Sequence, residues 1–437
     1  MDKKVCKFGG SSLADAVQFR KVADIIHSES CRRYVVASAP GKRNSADTKV
    51  TDMLYRCYDL ASSGEDFEPQ LAAIEERFAG IIAELDLNFT LKSEIAAIRN
   101  HLRGKLSRDY MASRGEYLNS KILAAYLGFP FVDPADSIRF TLDGRFLADE
   151  TAENLSAALA DKEYAVIPGF YGADSAGNIH TFSRGGSDVT GSLVAQAVKA
   201  DIYENWTDVS GMLFTDPHVV PDPQTIDLLT YRELRELSYM GASVLHEDAV
   251  FPVRKAGIPI NIRNTNRPGD AGTMIVPTAP KGARTPTITG IAGKRGFVTI
   301  HVEKSMMNGE VGFGARMLAI FAKHGVPFEH CPTGIDTISV VVSSAIFHGV
   351  EEALMADIEA VLQPDHLEVE DGLAMIAVVG RGMVAARGTA ARLFRAVADA
   401  GINIRMIDQG SSELNIIIGV EEADYEAAVQ AICREFR

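Results

Sequence analysis

Apolar positions in residues 1–270 fall into short β-branched runs separated by longer stretches with helical spacing. Runs at 4–8, 34–39, 165–170, 201–206 and 258–263 predict strands, and the amphipathic segments 13–28 and 116–127 predict helices between them. Strand and helix alternating in this way predict an α/β fold with a mostly parallel sheet. Gly and Pro then cluster without apolar periodicity in RPGDAGT (267–273) and at 277–286, which places a first domain at 1–285.

The rest of the chain carries a duplication. Gly325 and Gly401 stand 76 residues apart, and the same offset pairs Ile300 with Ile376, Gly312 with Gly388, Leu318 with Phe394, Val326 with Ile402 and Val340 with Ile416. Each copy reads strand (297–303; 373–379), helix (313–324; 389–400), strand (326–331; 402–407), strand (337–343; 413–419) and helix (349–361; 421–435). That is the order of a ferredoxin-like βαββαβ unit lacking its last strand. Residues 366–372 supply one candidate, and 287–292, ahead of the first copy, supply another for the second. The modules at 286–370 and 371–437 are therefore either serial or interleaved.

The chain has 437 residues, about three times a ~150-residue domain, and is 46% hydrophobic and 23% charged, which excludes wholesale disorder. No apolar run approaches the ~18 residues that span a bilayer, and MDKKVCKFGG enters strand-like sequence without a signal-peptide core, so a cytoplasmic protein with no membrane partner is expected. The 44 basic and 58 acidic residues give a net charge of −14 with no Lys/Arg run, which argues against nucleic acid. An anionic ligand then needs a local positive pocket. Cys6, Cys31, Cys57, Cys331 and Cys433 lack the spacing of a zinc site or a disulfide framework and read as small core residues.

The GxxxxGK[ST] and GxGxxG loops are absent. In their place three glycine-bearing loops each follow a strand and open a helix: Lys7-Phe8-Gly9-Gly10-Ser11-Ser12, Ser38-Ala39-Pro40-Gly41-Lys42 with Lys49-Val50-Thr51-Asp52 beyond it, and Ser183-Arg184-Gly185-Gly186-Ser187-Asp188. Glycines let backbone N–H groups approach an anion, the helix offers its N-terminus, and Lys7 adds a mobile charge. Ser11, Ser12, Ser187 and Asp188 are also ordinary N-cap residues, so a single loop is weak evidence. Three on one parallel sheet converge at the carboxyl ends of its strands. Thr207, Asp208 and Asp216, in WTDVSG and FTDP, suit either turns or a ribose and metal-linked phosphate, and Glu116 reads as an acid near a helix start.

With these residues in place the chain resembles aspartate kinase over nearly its whole length. The marks are KFGGSS (7–12), SAPGK (38–42), KVTDML (49–54), RGE (114–116), SRGGSD (183–188), WTDVSG (206–211), FTDP (214–217) and a C-terminal pair similar to ACT domains. The resemblance implies an amino-acid-kinase αβα sandwich followed by two ferredoxin-like ACT modules, and MgATP-dependent phosphorylation of the L-aspartate β-carboxylate in the lysine, threonine and methionine pathway. It implies that Lys7 contacts the transferring phosphoryl group and Asp188 organises Lys7 and Mg²⁺, which arrives with ATP without side-chain ligands of its own. Arg184 would pair with a substrate carboxylate, Glu116 with the ammonium, and Thr51 and Ser187 would hydrogen-bond the amino acid. Gly9, Gly10, Ser11, Thr207, Asp208 and Asp216 would serve the nucleotide. A carboxylate nucleophile is ionised at pH 7 and needs no general base, so positioning and charge neutralisation suffice.

Departures from the family pattern stand at Leu213, His218 and Ser243, where Tyr, Arg and Lys are frequent; Lys42, Arg263 and Arg267 are the candidate replacements for the missing lysine. Two other readings remain: a related kinase acting on a different small anion, and an amino-acid sensor whose kinase half has decayed. The ACT pair implies an amino-acid effector and a homodimer or homotetramer. Met307, Phe313, Phe328 and Glu329 in the first copy are the candidate effector residues. Glu329, set against Arg405 in the second copy, favours lysine over threonine.

Overall fold

A computed structural model describes residues 3–183, 185–242, 245, 247–283 and 285–437. The chain divides into two compact units, one of Met1–Met212, Thr225–Leu234 and Ser243–Lys281, the other of Leu213–Gln224, Arg235–Ala242 and Gly282–Arg437.

The first unit is built on a seven-stranded sheet in the order Ala165–Pro168, Arg32–Ala37, Lys4–Phe8, Ile202–Thr207, Ile260–Asn264, Thr273–Val276, Leu228–Thr230. Every neighbouring pair is parallel except Ile260–Asn264 with Thr273–Val276. The central strands are covered on both faces, which is why they read as nearly unbroken apolar runs. Alternation still assigns the faces. Cys6, Phe8, Val35, Ala37, Val166 and Trp206 join a core with helices Ala16–His27, Val50–Ser62, Glu68–Glu84, Lys92–Arg103 and Arg108–Leu127. Val5 and Lys7 take the other face, where helix Gly186–Ala197 packs on Lys4–Phe8, Arg32–Ala37 and Ile202–Thr207.

Two helices depart from expectation. The predicted helix 13–28 is split into a 3-10 turn, Ser11–Leu13, and the helix Ala16–His27, because Asp15 is extended and accepts Gln18 N–H at 2.9 Å as an N-cap. The predicted helix 116–127 begins at Arg108, capped by Ser107, so Glu116 lies in its interior rather than near its start. That helix is also not amphipathic: from Met111 to Ser120 every residue but Tyr117 is buried.

The second unit carries a six-stranded antiparallel sheet in the order Phe328–His330, Thr337–Ser343, Gly290–Glu303, His366–Val379, Asn415–Glu421, Met406–Asp408. Its two central strands pair along their length, 290–294 against 375–379 and 297–303 against 366–373, with a register break between Lys294 and Phe297. One core gathers Val298, Ile300, Val302, Met317, Phe321, Val340 and Leu354; another gathers Ile288, Ile291, Ile376, Val378, Leu393, Ile418 and Ile432.

The helices keep the 76-residue offset, Phe313–Lys323 against Thr389–Asp399, each entered through a glycine at φ 83° or 86° (Gly312, Gly388) that an L side chain adopts only under strain. The following strands, Thr337–Ser343 and Asn415–Glu421, lie two residues further apart, so Val340 is answered by Ile418 rather than Ile416. A two-residue slip keeps the same face of a strand inward, which hides it from apolar periodicity. All five cysteines are free thiols, and Cys6, Cys57 and Cys433 are buried. Among the described residues no helix is long and apolar enough to cross a membrane.

Candidate active site

The loops that follow Lys4–Phe8, Arg32–Ala37, Ala165–Pro168 and Ile202–Thr207 leave the carboxyl ends of four adjacent parallel strands, where open α/β sheets bind ligands. Backbone hydrogen bonds stitch them together. Gly9 N–H donates to Trp206 O at 3.0 Å, Gly41 N–H to Gly10 O at 2.8 Å, and Gly169 N–H to Ala37 O at 3.0 Å. Gly10 and Gly41 are in backbone contact: a Cβ on Gly41 would stand 2.6 Å from Gly10 C, and one on Gly10 would stand 2.9 Å from Ala39 O. The first two glycine loops are therefore one packed structure.

The third loop turns into its helix at Gly185 (φ 55°), whose carbonyl accepts Asp188 N–H at 2.8 Å. Ser187 presses on the chain leaving Ala165–Pro168, since a Cβ on Gly169 would fall 2.6 Å from Ser187 Oγ. Asp188 thereby reaches Lys7: Nζ lies 2.7 Å from Oδ1, and the same oxygen accepts Asn205 Nδ2 at 2.8 Å. Lys7 and Asn205 are register partners on neighbouring strands and both are buried. Asn205 belongs to no sequence motif, although the alternation that puts Trp206 in the core assigns it to the face of Lys7.

Glu116 approaches from the long helix. Gly115 lets that helix come close, a Cβ there standing 2.7 Å from Ala39 Cβ, and the Ala39 N–H donates to the Glu116 carboxylate. Burial pushes the Glu116 carboxyl up to about 8, against the opposing pull of the Ala39 N–H and the charges of Arg114 and Lys7. Its Oε2 is buried and has no hydrogen-bond partner among the described residues. In place of an acid near a helix start, the structure has a half-satisfied carboxylate inside the protein. One turn on, Asn119 Nδ2 donates to Ser38 O at 2.8 Å, another contact to the second loop that sequence did not indicate.

Other expected residues are placed less completely. Thr51 stands, half-buried, in the first turn of Val50–Ser62, whose Val50 N–H donates to Pro40 O at 3.2 Å. Ser11 lies in the 3-10 turn after Gly10. Thr207 Oγ1 donates to Asp208 Oδ1 at 3.2 Å, and Asp208 is exposed. Asp216 belongs to the second unit, where it accepts His218 N–H at 2.8 Å in a turn. Arg184 and Ser243 lie outside the described residues. Lys42 and Arg267 are exposed, while Arg263 stacks on Trp206 and donates to Pro268 O at 2.7 Å.

In the second unit Met307 and Phe313 sit in the first-copy core, whereas Phe328 is exposed. Glu329 accepts a hydrogen bond from the Tyr239 hydroxyl. Because the strands are offset by two further residues, Phe328–His330 answers Met406–Asp408 and the counterpart of Glu329 is Ile407, not Arg405. Arg405 bonds Glu370 at 2.6 Å and also Glu421.

A mostly parallel sheet with glycine loops and, at its carboxyl edge, a buried lysine paired with a half-buried aspartate defines a phosphate-handling α/β protein. Residues 2–264 match the amino acid kinase family and residues 376–436 match an ACT domain. The chain is 41% identical to aspartokinase 3 of Bacillus subtilis (strain 168) over 99% of this chain and 98% of that protein. Among solved structures it is similar to the aspartate kinase of Clostridium acetobutylicum (45% identity, TM-score 0.89, 100% of both chains). It is also similar to E. coli aspartokinase III in complex with aspartate and ADP (26% identity, TM-score 0.77, 99% of both chains). The same enzyme in complex with lysine and aspartate, in the T-state, aligns over 100% of both chains at 26% identity and TM-score 0.75. The chain belongs to the amino acid kinase family and, within it, to the aspartate kinases with C-terminal ACT domains; it is a kinase.

Proposed function

We propose that the chain transfers the γ-phosphoryl group of MgATP to the β-carboxylate of L-aspartate, forming 4-phospho-L-aspartate for the biosynthesis of lysine and related amino acids. The observation that carries this reading is the buried Glu116 carboxylate, with one oxygen unpartnered among the described residues, in the electrostatic reach of Lys7. Such a group is stabilised by an arriving cation, and the ammonium of an amino acid supplies one. Arg184 would take a substrate carboxylate by bidentate hydrogen bonding, with Thr51 and Ser187 completing the contacts.

The groups present suit a nucleoside triphosphate: two glycine loops packed too tightly for a Cβ, an ammonium at Lys7, and Asp188, whose side-chain bonds among the described residues both fall on Oδ1. Gly9, Gly10, Ser11, Thr207 and Asp208 would hold it. MgATP, when bound, supplies the phosphoryl group and a cation that offsets its charge. Lys7 neutralises the transferring oxygens, Asp188 and Asn205 fix the position of its ammonium, and no proton transfer is needed from the ionised nucleophile.

Regulation by lysine through the ACT pair is part of the proposal, with Glu329 as the partner of the effector's ammonium. The experiment is hydroxylamine trapping of the acyl phosphate with aspartate and MgATP, repeated with lysine and with threonine. Aspartate-dependent trapping that lysine suppresses is expected; no trapping from aspartate overturns the substrate, and suppression by threonine alone overturns the effector.

A further inference from the structure

Arg77 lies in the middle of helix Glu68–Glu84, between Ile74 and Phe78 of the core, and is buried. Its guanidinium meets the backbone at three separated places: Nη1 donates to Thr48 O at 2.8 Å, and Nη2 donates to Gly41 O at 2.5 Å and Ala14 O at 3.4 Å. Asp47, already paired with Arg43, stands 3.3 Å from Nη2. Burial pulls the Arg77 pKa down against the attraction of Asp47.

Each of the three carbonyls belongs to a stretch that builds the site. Ala14 ends the turn after Gly9 and Gly10. Gly41 sits in backbone contact with Gly10, bonded to it at 2.8 Å. Thr48 precedes Thr51 by less than one helical turn. A buried guanidinium is a poor source of net stability, because desolvation consumes most of its gain. Its planar fork of five donors is, however, the side chain suited to hold several carbonyls in fixed relative positions.

We propose that Arg77 is a positioning residue for phosphoryl transfer, a clamp that sets the two glycine loops and the Thr51 segment against one another without touching substrate or nucleotide. The inference rests on the kinase reading above and adds to it a residue on the far side of the loops. Lysine is a poor replacement: its three donors sit on one nitrogen and do not span the separated carbonyls that Nη1 and Nη2 meet. Displacing a bound group by about 1 Å costs roughly 100-fold in rate, so a loosened clamp acts on kcat.

The test uses the full chain with Arg77→Lys and Arg77→Ala, the folded fraction being read from Trp206, the single tryptophan. A cavity of about 610 Å³ lined by Asp15, Asp47, Thr48, Asp52, Arg56 and Arg77 gives a small ion a route to the vacated position. Per folded molecule, Arg77→Lys is expected to lose ~10- to 100-fold in kcat. Arg77→Ala should lose as much and recover in part with millimolar guanidinium chloride, which leaves the wild type unchanged. Hydrogen exchange at the Gly41 amide should quicken in both variants, a readout that needs no turnover and separates this inference from the assignment of the reaction. Wild-type kcat and exchange in folded Arg77→Lys overturn the proposal. So does a loss of activity that only follows loss of fold and that guanidinium does not rescue.

Discussion

The Lys7 ammonium and the Asp188 carboxylate meet at 2.7 Å across the face of the sheet opposite the main helical core, one from a strand and the other from the first turn of a helix. Neither can be moved without moving a secondary-structure element, so the charge pair is held by the fold. Lys7→Ala and Asp188→Asn are each expected to lower kcat by ~10²–10³-fold, the scale of deleting one group that stabilises transition-state charge. Steady-state kinetics with unchanged circular dichroism checks this; a rate within threefold of wild type removes that residue from the mechanism.

With Glu116 as the partner of the substrate ammonium, as proposed, aspartate binding should depend on pH. With its carboxyl at about 8 in the folded protein and ~4.3 when unfolded, it is protonated at neutral pH, and its contribution to stability is full below ~4.3 and lost as pH rises through 8. An arriving ammonium favours the ionised form, so binding expels a proton. The aspartate KM should fall as pH rises from 6 to 8, by up to ~tenfold per unit, and level off above 8. In Glu116→Gln the slope should vanish and KM rise. An identical pH profile in that variant contradicts the role.

Under the opposite face of the sheet, Glu204 accepts from Arg32 Nε at 2.8 Å, Trp206 Nε1 at 2.9 Å and Lys4 Nζ at 3.0 Å. Burial pushes this carboxyl up, but the bonds and charges of Arg32 and Lys4 outweigh it and hold it below its usual range. Its stabilisation is therefore present above ~4.3 and lost as pH falls through its folded pKa. Glu204→Gln takes from buried Arg32 one of its two carboxylate partners, the half-buried Glu29 remaining at 2.7 Å, and should cost about 2–3 kcal/mol, read by urea unfolding on Trp206 fluorescence at pH 7. The difference from wild type should shrink below pH 4.

Gly41→Ala tests the backbone contact between the glycine loops. A Cβ at 2.6 Å from Gly10 C cannot be relieved by a side-chain rotation, so the loops must separate. Activity should fall at least tenfold, while Gly64→Ala, where a Cβ meets nothing within 4 Å but φ is 75°, should cost stability and leave kcat unchanged. Equal kcat values for the two folded variants count against the packed-loop arrangement.

Glu329→Ala should raise the lysine concentration for half-inhibition about tenfold, equivalent to ~1.4 kcal/mol of lost coupling, with the uninhibited rate kept. Tyr239→Phe removes the hydroxyl that donates to Glu329 and keeps the carboxylate, so lysine inhibition should persist. Unchanged sensitivity in Glu329→Ala discards that residue as the effector's partner.

By itself the sequence determined the parallel sheet, the glycine loops and the duplicated C-terminal modules, because burial on both faces of a strand and a repeated apolar pattern are local properties of a chain. Lys7 and Asp188 were legible for the same reason: each stands beside glycines at a strand-to-helix turn. Only the tertiary structure decided what no local pattern encodes. Glu116 looked like an acid at a helix start, and packing of Gly115 on Ala39 turned it into a buried carboxylate with an unpartnered oxygen. Asn205 and Arg77 carry no motif, since their importance lies in which strand and which carbonyls they meet. The two-residue slip between the copies leaves period-2 alternation unchanged, so the apolar pattern does not encode it, and it makes Ile407 rather than Arg405 the counterpart of Glu329. Local periodicity specifies elements and faces; the partners of a buried polar group are set by contacts between segments far apart in the chain.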